Sequence, residues 1–139
     1  MRWFELPFGR IQLLQQDIAE VIINDEVEID FTILSHLHAA LLANIEGRFS
    51  LLINAANRFS YSFEAQQTLF SLKEINAVAV VAYNITTKYT SQSLVSFRRR
   101  EKLNIKIFSD RITALSWLML ENKRARIKHH TSDRNNERQ

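Results

Sequence analysis

The four histidines are the side chains best suited to bind a metal ion. His36 and His38 stand two residues apart in a segment predicted to be helical, so they project from different faces, whereas a helical chelate needs a spacing of three or four. His129 and His130 lie in a polar tail without a framework of further ligands. Zinc sites need three or four convergent ligands. The sequence therefore predicts no metal site, and we expect no cofactor.

Motifs for nucleophilic catalysis and phosphate binding are missing from the sequence. No G-x-S-x-G turn occurs, and Gly9 and Gly47 stand alone, so there is no glycine-rich phosphate loop. The acidic run NDEVEID, residues 24–30, is typical of a solvated turn followed by a helix cap, because acids that are neighbours in sequence do not by themselves form an acid/base pair. We expect a non-enzymatic protein. An enzyme whose catalytic residues come together only in the folded chain is a third alternative, besides the two binding functions described below.

Two serines stand where the segment NRFSYSFEAQQTLF, residues 57–70, passes from an apolar run into a predicted helix. A serine just before a helix commonly accepts a hydrogen bond from a backbone N–H of the first turn. A phosphate added at the same place would instead alter the charge of the surrounding surface. Ser60 and Ser62 are therefore either helix caps or the site of a regulatory switch.

The formal net charge of +3 comes from the end of the chain. Residues 1–122 contain 12 Lys or Arg against 13 Asp or Glu, whereas residues 123–139 contribute +4. This tail has one large aliphatic side chain, Ile127, and too little apolar surface to offset the entropy of ordering. We expect one domain over 1–122 and a mostly disordered basic tail over 123–139, whose first part at most extends a helix.

The remaining features of composition bear on partners and compartment. The basic cluster of residues 98–102 ends a predicted helix, where cations offset the helix dipole, and no aromatic residues are interleaved with it for base stacking. We therefore expect no nucleic-acid partner. No apolar run approaches the roughly 20 residues of a membrane helix, and the start MRWFELPF lacks the layout of a signal peptide. With no cysteine in the chain, these features predict a cytoplasmic protein.

Short apolar segments that alternate with amphipathic ones predict an α/β fold. Residues 77–83 carry no charge and are expected to form a central strand. The other strands are expected at 10–16, 18–24, 49–54 and 105–108, with a further short strand ending at Pro7. Helices are expected at 31–47 after an Asp30 cap, at 62–74, at 86–101, and after a cap at Ser109 or Asp110. The order β-β-α-β-α-β-α-β-α implies a mixed central sheet of about five strands with about four helices.

The segment KIFSDRITALSWLML, residues 106–120, resembles the F-x-D-x-x-x-A-x-x-W-L ending of small bacterial SpoIIAA-like domains, which are related in fold to STAS domains of anti-sigma-factor antagonists. Its matching residues are Phe108, Asp110, Ala114, Trp117 and Leu118. The segment SFEAQ is similar to an S-x-E-A-R pattern that opens the second helix of such proteins, with glutamine here in place of arginine. The resemblance covers about residues 10–120 and implies a SpoIIAA/STAS-like fold.

The resemblance implies a regulatory module that docks a protein partner, with a homodimer as one form of such docking. In the antagonists a serine at the start of the second helix is phosphorylated, which abolishes binding to the partner. The aspartate and glycine that flank that serine are absent here, so the cap is the favoured role. The candidate docking or switch residues are Asn57, Arg58, Ser60 and Ser62.

The alternative function is the binding of a small apolar molecule. SpoIIAA-like domains are also similar to CRAL-TRIO lipid-binding domains, and open α/β sheets bind ligands at the carboxyl ends of their strands. Aromatic residues near those ends are equally suited to a core. The candidate pocket residues are Phe59, Tyr61, Phe63, Phe70, Tyr83 and Tyr89.

Overall fold

The computed structural model describes residues 2–84, 92 and 104–137, and its centre is a six-stranded sheet. The strands in spatial order are β1 (Arg2–Leu6), β2 (Gly9–Gln15), β3 (Ile18–Ile23), β5 (Phe49–Ala55), β7 (Ile75–Ala82) and β8 (Ile105–Phe108). A separate two-stranded sheet pairs β4 (Val27–Ile29) with β6 (Phe59–Tyr61). The described helices are α1 (Phe31–Asn44), α2 (Phe63–Thr68) and α3 (Arg111–Glu137). The α/β class and the mixed central sheet are those predicted.

The sheet is antiparallel at one side and parallel at the other. Strands β1, β2 and β3 form an antiparallel meander, and β3, β5, β7 and β8 are parallel. At Gly9, where β2 begins beside the end of β3, a Cβ atom would lie 2.3 Å from the carbonyl oxygen of Ile22. Only glycine allows the two backbones to approach this closely.

The core has two parts, one on each face of the sheet. Leu34, Leu37 and Leu41 of α1 and Ala65 of α2 pack on one face. Ala114 and Leu118 of α3 pack on the other. Strands β5 and β7 are buried on both faces because they lie between these helices, which confirms the central position predicted for residues 77–83.

The predicted caps of the two long helices are confirmed. The Asp30 carboxylate accepts a hydrogen bond from Ile33 N at 2.8 Å, and Asp110 accepts one from Thr113 N at 2.8 Å. This second bond holds the pKa of the Asp110 carboxyl below its usual value. Helix α1 ends at Asn44 rather than at Gly47, whose φ of +76° lies in the left-handed region.

The second helix is much shorter than the predicted 62–74. It ends at Thr68, and Phe70 adopts a positive φ of 54°, which a continuing helix does not allow. The burial of the Phe70 and Leu69 side chains in the core outweighs the helical preference of this segment. The predicted helix at 86–101 lies outside the described residues.

Where the sequence predicts a mostly disordered tail from residue 123, α3 continues to Glu137. Residues of good helix propensity fill its early part, and two ion pairs support it. Arg124 lies 3.5 Å from Glu121 one turn earlier, and Arg126 lies 3.0 Å from Asp17 of the β2–β3 turn. The division of the chain at residue 122 stays a prediction.

Candidate functional site

The parallel pairing of β4 with β6 brings the starts of two helices together. Ile29 pairs with Tyr61, and Ser62 N donates a hydrogen bond to Ile29 O at 2.9 Å. Each strand then runs directly into a helix, so the caps Asp30 and Ser62 occupy equivalent places. The sequence did not predict this small sheet, because NDEVEID was interpreted as a solvated turn.

Ser62 is the N-cap of α2. Its Oγ accepts a hydrogen bond from Ala65 N at 3.1 Å, and the residue is half-buried. Ser60 is exposed on β6, opposite Glu28. The cap predicted for Ser62 is confirmed, and its part in a regulatory switch stays a prediction.

Asn57 and Arg58 tie the loop before β6 to the turn after β3. Asn57 Nδ2 donates to Ile23 O at 2.8 Å, and Arg58 N donates to the Asp25 carboxylate at 2.9 Å. Glu26, whose φ is +61°, donates its N–H to Arg58 O. The Arg58 side chain is exposed, so the backbone has the anchoring role while the guanidinium faces outward.

The first residue of both α1 and α2 is an exposed phenylalanine. Phe31 is 60% exposed and Phe63 is 63% exposed, although large apolar side chains are normally buried. We name the region formed by Phe31, Arg58, Ser60, Ser62 and Phe63 the paired-cap surface.

The predicted pocket aromatics do not share one environment. Phe59 and Tyr61 are half-buried, with their rings 5.5 Å apart in an edge-on contact, and both pack against the core. Phe70 is fully buried, whereas Tyr83 is half-exposed beyond the end of β7. Tyr89 lies outside the described residues. A pocket lined by these aromatics stays a prediction.

A polar cluster that the sequence did not predict joins Glu20 in the middle of β3 to Asn54 near the end of β5 and to Arg111 at the start of α3. The Glu20 carboxylate, only 4% exposed, accepts two hydrogen bonds from Arg111, at 2.9 and 3.2 Å, and one from Asn54 at 2.9 Å. The bond to Glu20 raises the pKa of Arg111. Burial, and then the negative charge of Glu20, raise the pKa of Tyr83. The signal in the sequence was Glu20 itself, a lone acid in a β-branched strand.

His36 and His38 lie in different environments, as their spacing predicts. His36 is exposed, whereas the His38 ring lies 6.2 Å from that of Phe70. Burial lowers the pKa of His38 to about 4. Among the described side chains, those of residues 3–84, 92 and 104–128, no group of three or more His, Cys, Asp or Glu is placed to hold a metal ion. Along the described backbone, residues 2–84 and 104–137, no helix combines the length and apolarity that a membrane span requires.

Comparison with known proteins identifies the fold. No family model matches the sequence, and no curated protein matches it. The structure is similar to the crystal structure of an uncharacterized DUF3478-family protein with a SpoIIAA-like fold from Shewanella loihica PV-4, with a TM-score of 0.50 and 19% identity over 79% of this chain and 91% of that chain. The fold is SpoIIAA-like. The fold expected from the motif F-x-D-x-x-x-A-x-x-W-L is thereby confirmed.

Proposed function

We propose that this SpoIIAA-like protein is a non-enzymatic regulatory module that docks a protein partner through the paired-cap surface. The observation that carries the proposal is the exposure of Phe63 directly beside the Ser62 cap. Exposed aromatic side chains are enriched at the centres of protein interfaces, where they supply most of the binding energy. Phe31 adds a second exposed aromatic side chain, and the exposed residues Arg58 and Ser60 are suited to the polar rim that such interfaces have.

Ser62 gives this surface a means of regulation. A negative charge at residue 62 keeps a cap, because aspartate caps a helix about as well as serine. It also places that charge beside Phe63, where an apolar contact with a partner would have to desolvate it. Charge at this position is therefore expected to weaken docking without unfolding the domain.

The test is site-specific photo-crosslinking in cells of the source organism. A photoreactive phenylalanine analogue at position 63 should capture a discrete protein, to be identified by mass spectrometry. The same analogue at position 119 is the control, because Met119 is also half-exposed but lies on α3. Capture should persist in Ser62→Thr and disappear in Ser62→Asp.

Three results would count against docking at this surface. These are equal adducts from positions 63 and 119, no adduct at position 63, and an adduct indifferent to Ser62→Asp. An adduct between two copies of the chain would identify the partner as a second protomer, and light scattering of the purified protein would then show a dimer.

A further inference from the structure

A polar groove of about 460 Å³ lies at the amino ends of the parallel strands. The paired-cap surface follows their carboxyl ends. We name the groove the amino-edge groove. Its lining residues are Arg48, Asn76, Asn104, Glu121, Arg124, Ala125 and Lys128. Its volume is within the usual range for small-molecule sites, and none of its lining residues is aromatic.

The parallel topology explains why these residues meet. Arg48 directly precedes β5, Asn76 is the second residue of β7, and Asn104 directly precedes β8. Because β5, β7 and β8 are parallel neighbours, their amino ends lie side by side at the same end of the sheet. Helix α3 adds Glu121, Arg124 and Lys128, whose spacings of three and four put them on one helix face.

A buried hydrogen-bond network lies beneath the groove. Asn122, 2% exposed, accepts hydrogen bonds from Ser50 Oγ at 2.5 Å and from Asn76 Nδ2 at 3.0 Å, and its own amide donates to Asp17 O at 3.0 Å. Ser50 is fully buried. Burying an amide and a hydroxyl between a helix and a sheet is costly unless every group is bonded, so these side chains have fixed orientations.

This network orients Arg48. With its Nδ2 bonded to Asn122, the Asn76 amide presents Oδ1 to Arg48, which donates its Nε–H at 2.8 Å. The guanidinium is thereby held at the wall of the groove through its Nε edge. Its terminal nitrogens are the groups that match a carboxylate or a phosphate.

The charges of the groove favour an anion. Arg48, Arg124 and Lys128 are opposed by one carboxylate, Glu121, which already bonds Asn104 Nδ2 at 3.3 Å and pairs with Arg124 at 3.5 Å. We propose that the amino-edge groove binds a compact polyanion, a small molecule that carries phosphate or several carboxylates. Arg48 and Lys128 are its principal ligands, and Asn104 lies beside them as a hydrogen-bonding group.

The other side of α3 offers an internal control. A second groove of about 320 Å³ there contains the cations Lys123 and Arg126. It also contains Asp17, which pairs with Arg126, and the apolar side chains of Met119 and Leu120. The Asp17 carboxylate occupies a terminal nitrogen of Arg126 at 3.0 Å and offsets its charge, whereas the neutral Asn76 amide bonds only Nε of Arg48, so we expect weaker anion binding on that side.

The experiment is titration of the full chain with pyrophosphate and with citrate at constant ionic strength, followed by calorimetry and by NMR of the asparagine side-chain amides. We expect binding of at least one of these anions, with the largest shifts at Asn76 and Asn104. Arg48→Gln/Lys128→Gln should weaken this binding about tenfold or more, because it removes two charged hydrogen-bond donors. Lys123→Gln/Arg126→Gln, which makes the same change in net charge at two positions of α3, should weaken it less than about threefold.

The proposal is overturned if neither anion binds at millimolar concentration, or if the two double variants lose affinity equally, which would indicate attraction by net charge alone. It is also overturned if the side-chain amide shifts of Asn76 and Asn104 are no larger than those of asparagines outside the groove. Both pairs of substitutions change exposed side chains, and circular dichroism verifies that each variant is folded. Because the groove is remote from Ser62, the crosslink at position 63 tests the docking function separately.

Discussion

At the scale of single residues, His38 is the clearest source of pH-dependent stability. Its ring is packed beside Phe70, and among the described residues its Nε2 atom has no hydrogen-bond partner. Burial lowers the pKa of His38 from 6.5 to about 4. The folded protein therefore binds a proton at this site less readily than the unfolded chain does.

The sign of the effect follows from that difference. Above pH 6.5 the imidazole is neutral in both states, and as the pH falls from 6.5 towards 4 only the unfolded chain gains the proton. We predict a loss of up to about 3 kcal/mol in the free energy of unfolding across this window, the value that corresponds to the pKa difference of about 2.5. Urea denaturation at several pH values measures it.

His38→Leu should flatten the dependence between pH 4 and 6.5, because the group that titrates is gone. His36→Leu, which changes an exposed histidine of the same helix, should leave the dependence in place. If the steep region survives in His38→Leu, a different group is responsible.

The ion pair of Glu20 and Arg111 is a second prediction at the residue scale. Arg111→Met leaves a buried carboxylate that keeps its hydrogen bond from Asn54 but loses its charged partner, so the free energy of unfolding should fall by about 2–3 kcal/mol. Glu20→Leu/Arg111→Met removes both charges and should recover most of the loss. Chemical denaturation of the wild type, both single variants and the double variant measures the coupling. Additive losses would mean that the two charges do not depend on each other.

At the scale of elements, Ser62 has a structural role that can be separated from its proposed regulatory one. Ser62→Ala removes the hydrogen bond to Ala65 N and should destabilise the protein by about 1 kcal/mol, whereas Ser62→Asp should cost much less. Ser60→Ala, on the exposed side of β6, is the matched control. Thermal unfolding compares them, and equal losses from Ser62→Ala and Ser60→Ala would exclude a specific cap.

The sequence predicts those elements whose signals are local. Strand β7 is an uninterrupted apolar segment, and α1 combines the Asp30 cap with leucines at helical spacing. Strands β4 and β6 are three residues each, and their pairing joins positions 32 residues apart, so neither has a signal of its own. The early end of α2 was missed for a related reason, because the burial of Phe70 is a tertiary effect.

The candidate sites likewise include some features with a local signal in the sequence and others that depend on tertiary structure. Ser62 could be predicted as a cap from the segment around it, since a cap involves residues close in sequence. Exposure of Phe63 could not be predicted, because an aromatic residue in an amphipathic segment is normally part of the core. The amino-edge groove brings together Arg48, Asn76 and Asn104 from the starts of three separate strands, so it can be recognised only when the order of the strands is known.

At the scale of the whole molecule, we predict a gradient of local stability across the sheet. Amide hydrogen exchange should be slowest in β5 and β7, which are covered on both faces, and faster in β1 and in the β4–β6 pair, which have few partners. Exchange followed by mass spectrometry measures this order. Protection of β4 and β6 equal to that of β5 would show that the small sheet unfolds together with the main one.

The position of α3 in the chain determines when one face of the sheet can be covered during synthesis. Every described strand precedes α3 in the chain, and the Asn122 amide bonds the backbone of Asp17, 105 positions earlier. While the ribosome is still adding residues of α3, the face of the sheet that carries Leu52, Ala79 and Val81 lacks this cover. The nascent chain thus exposes an apolar surface to which chaperones can bind, until α3 emerges from the exit tunnel.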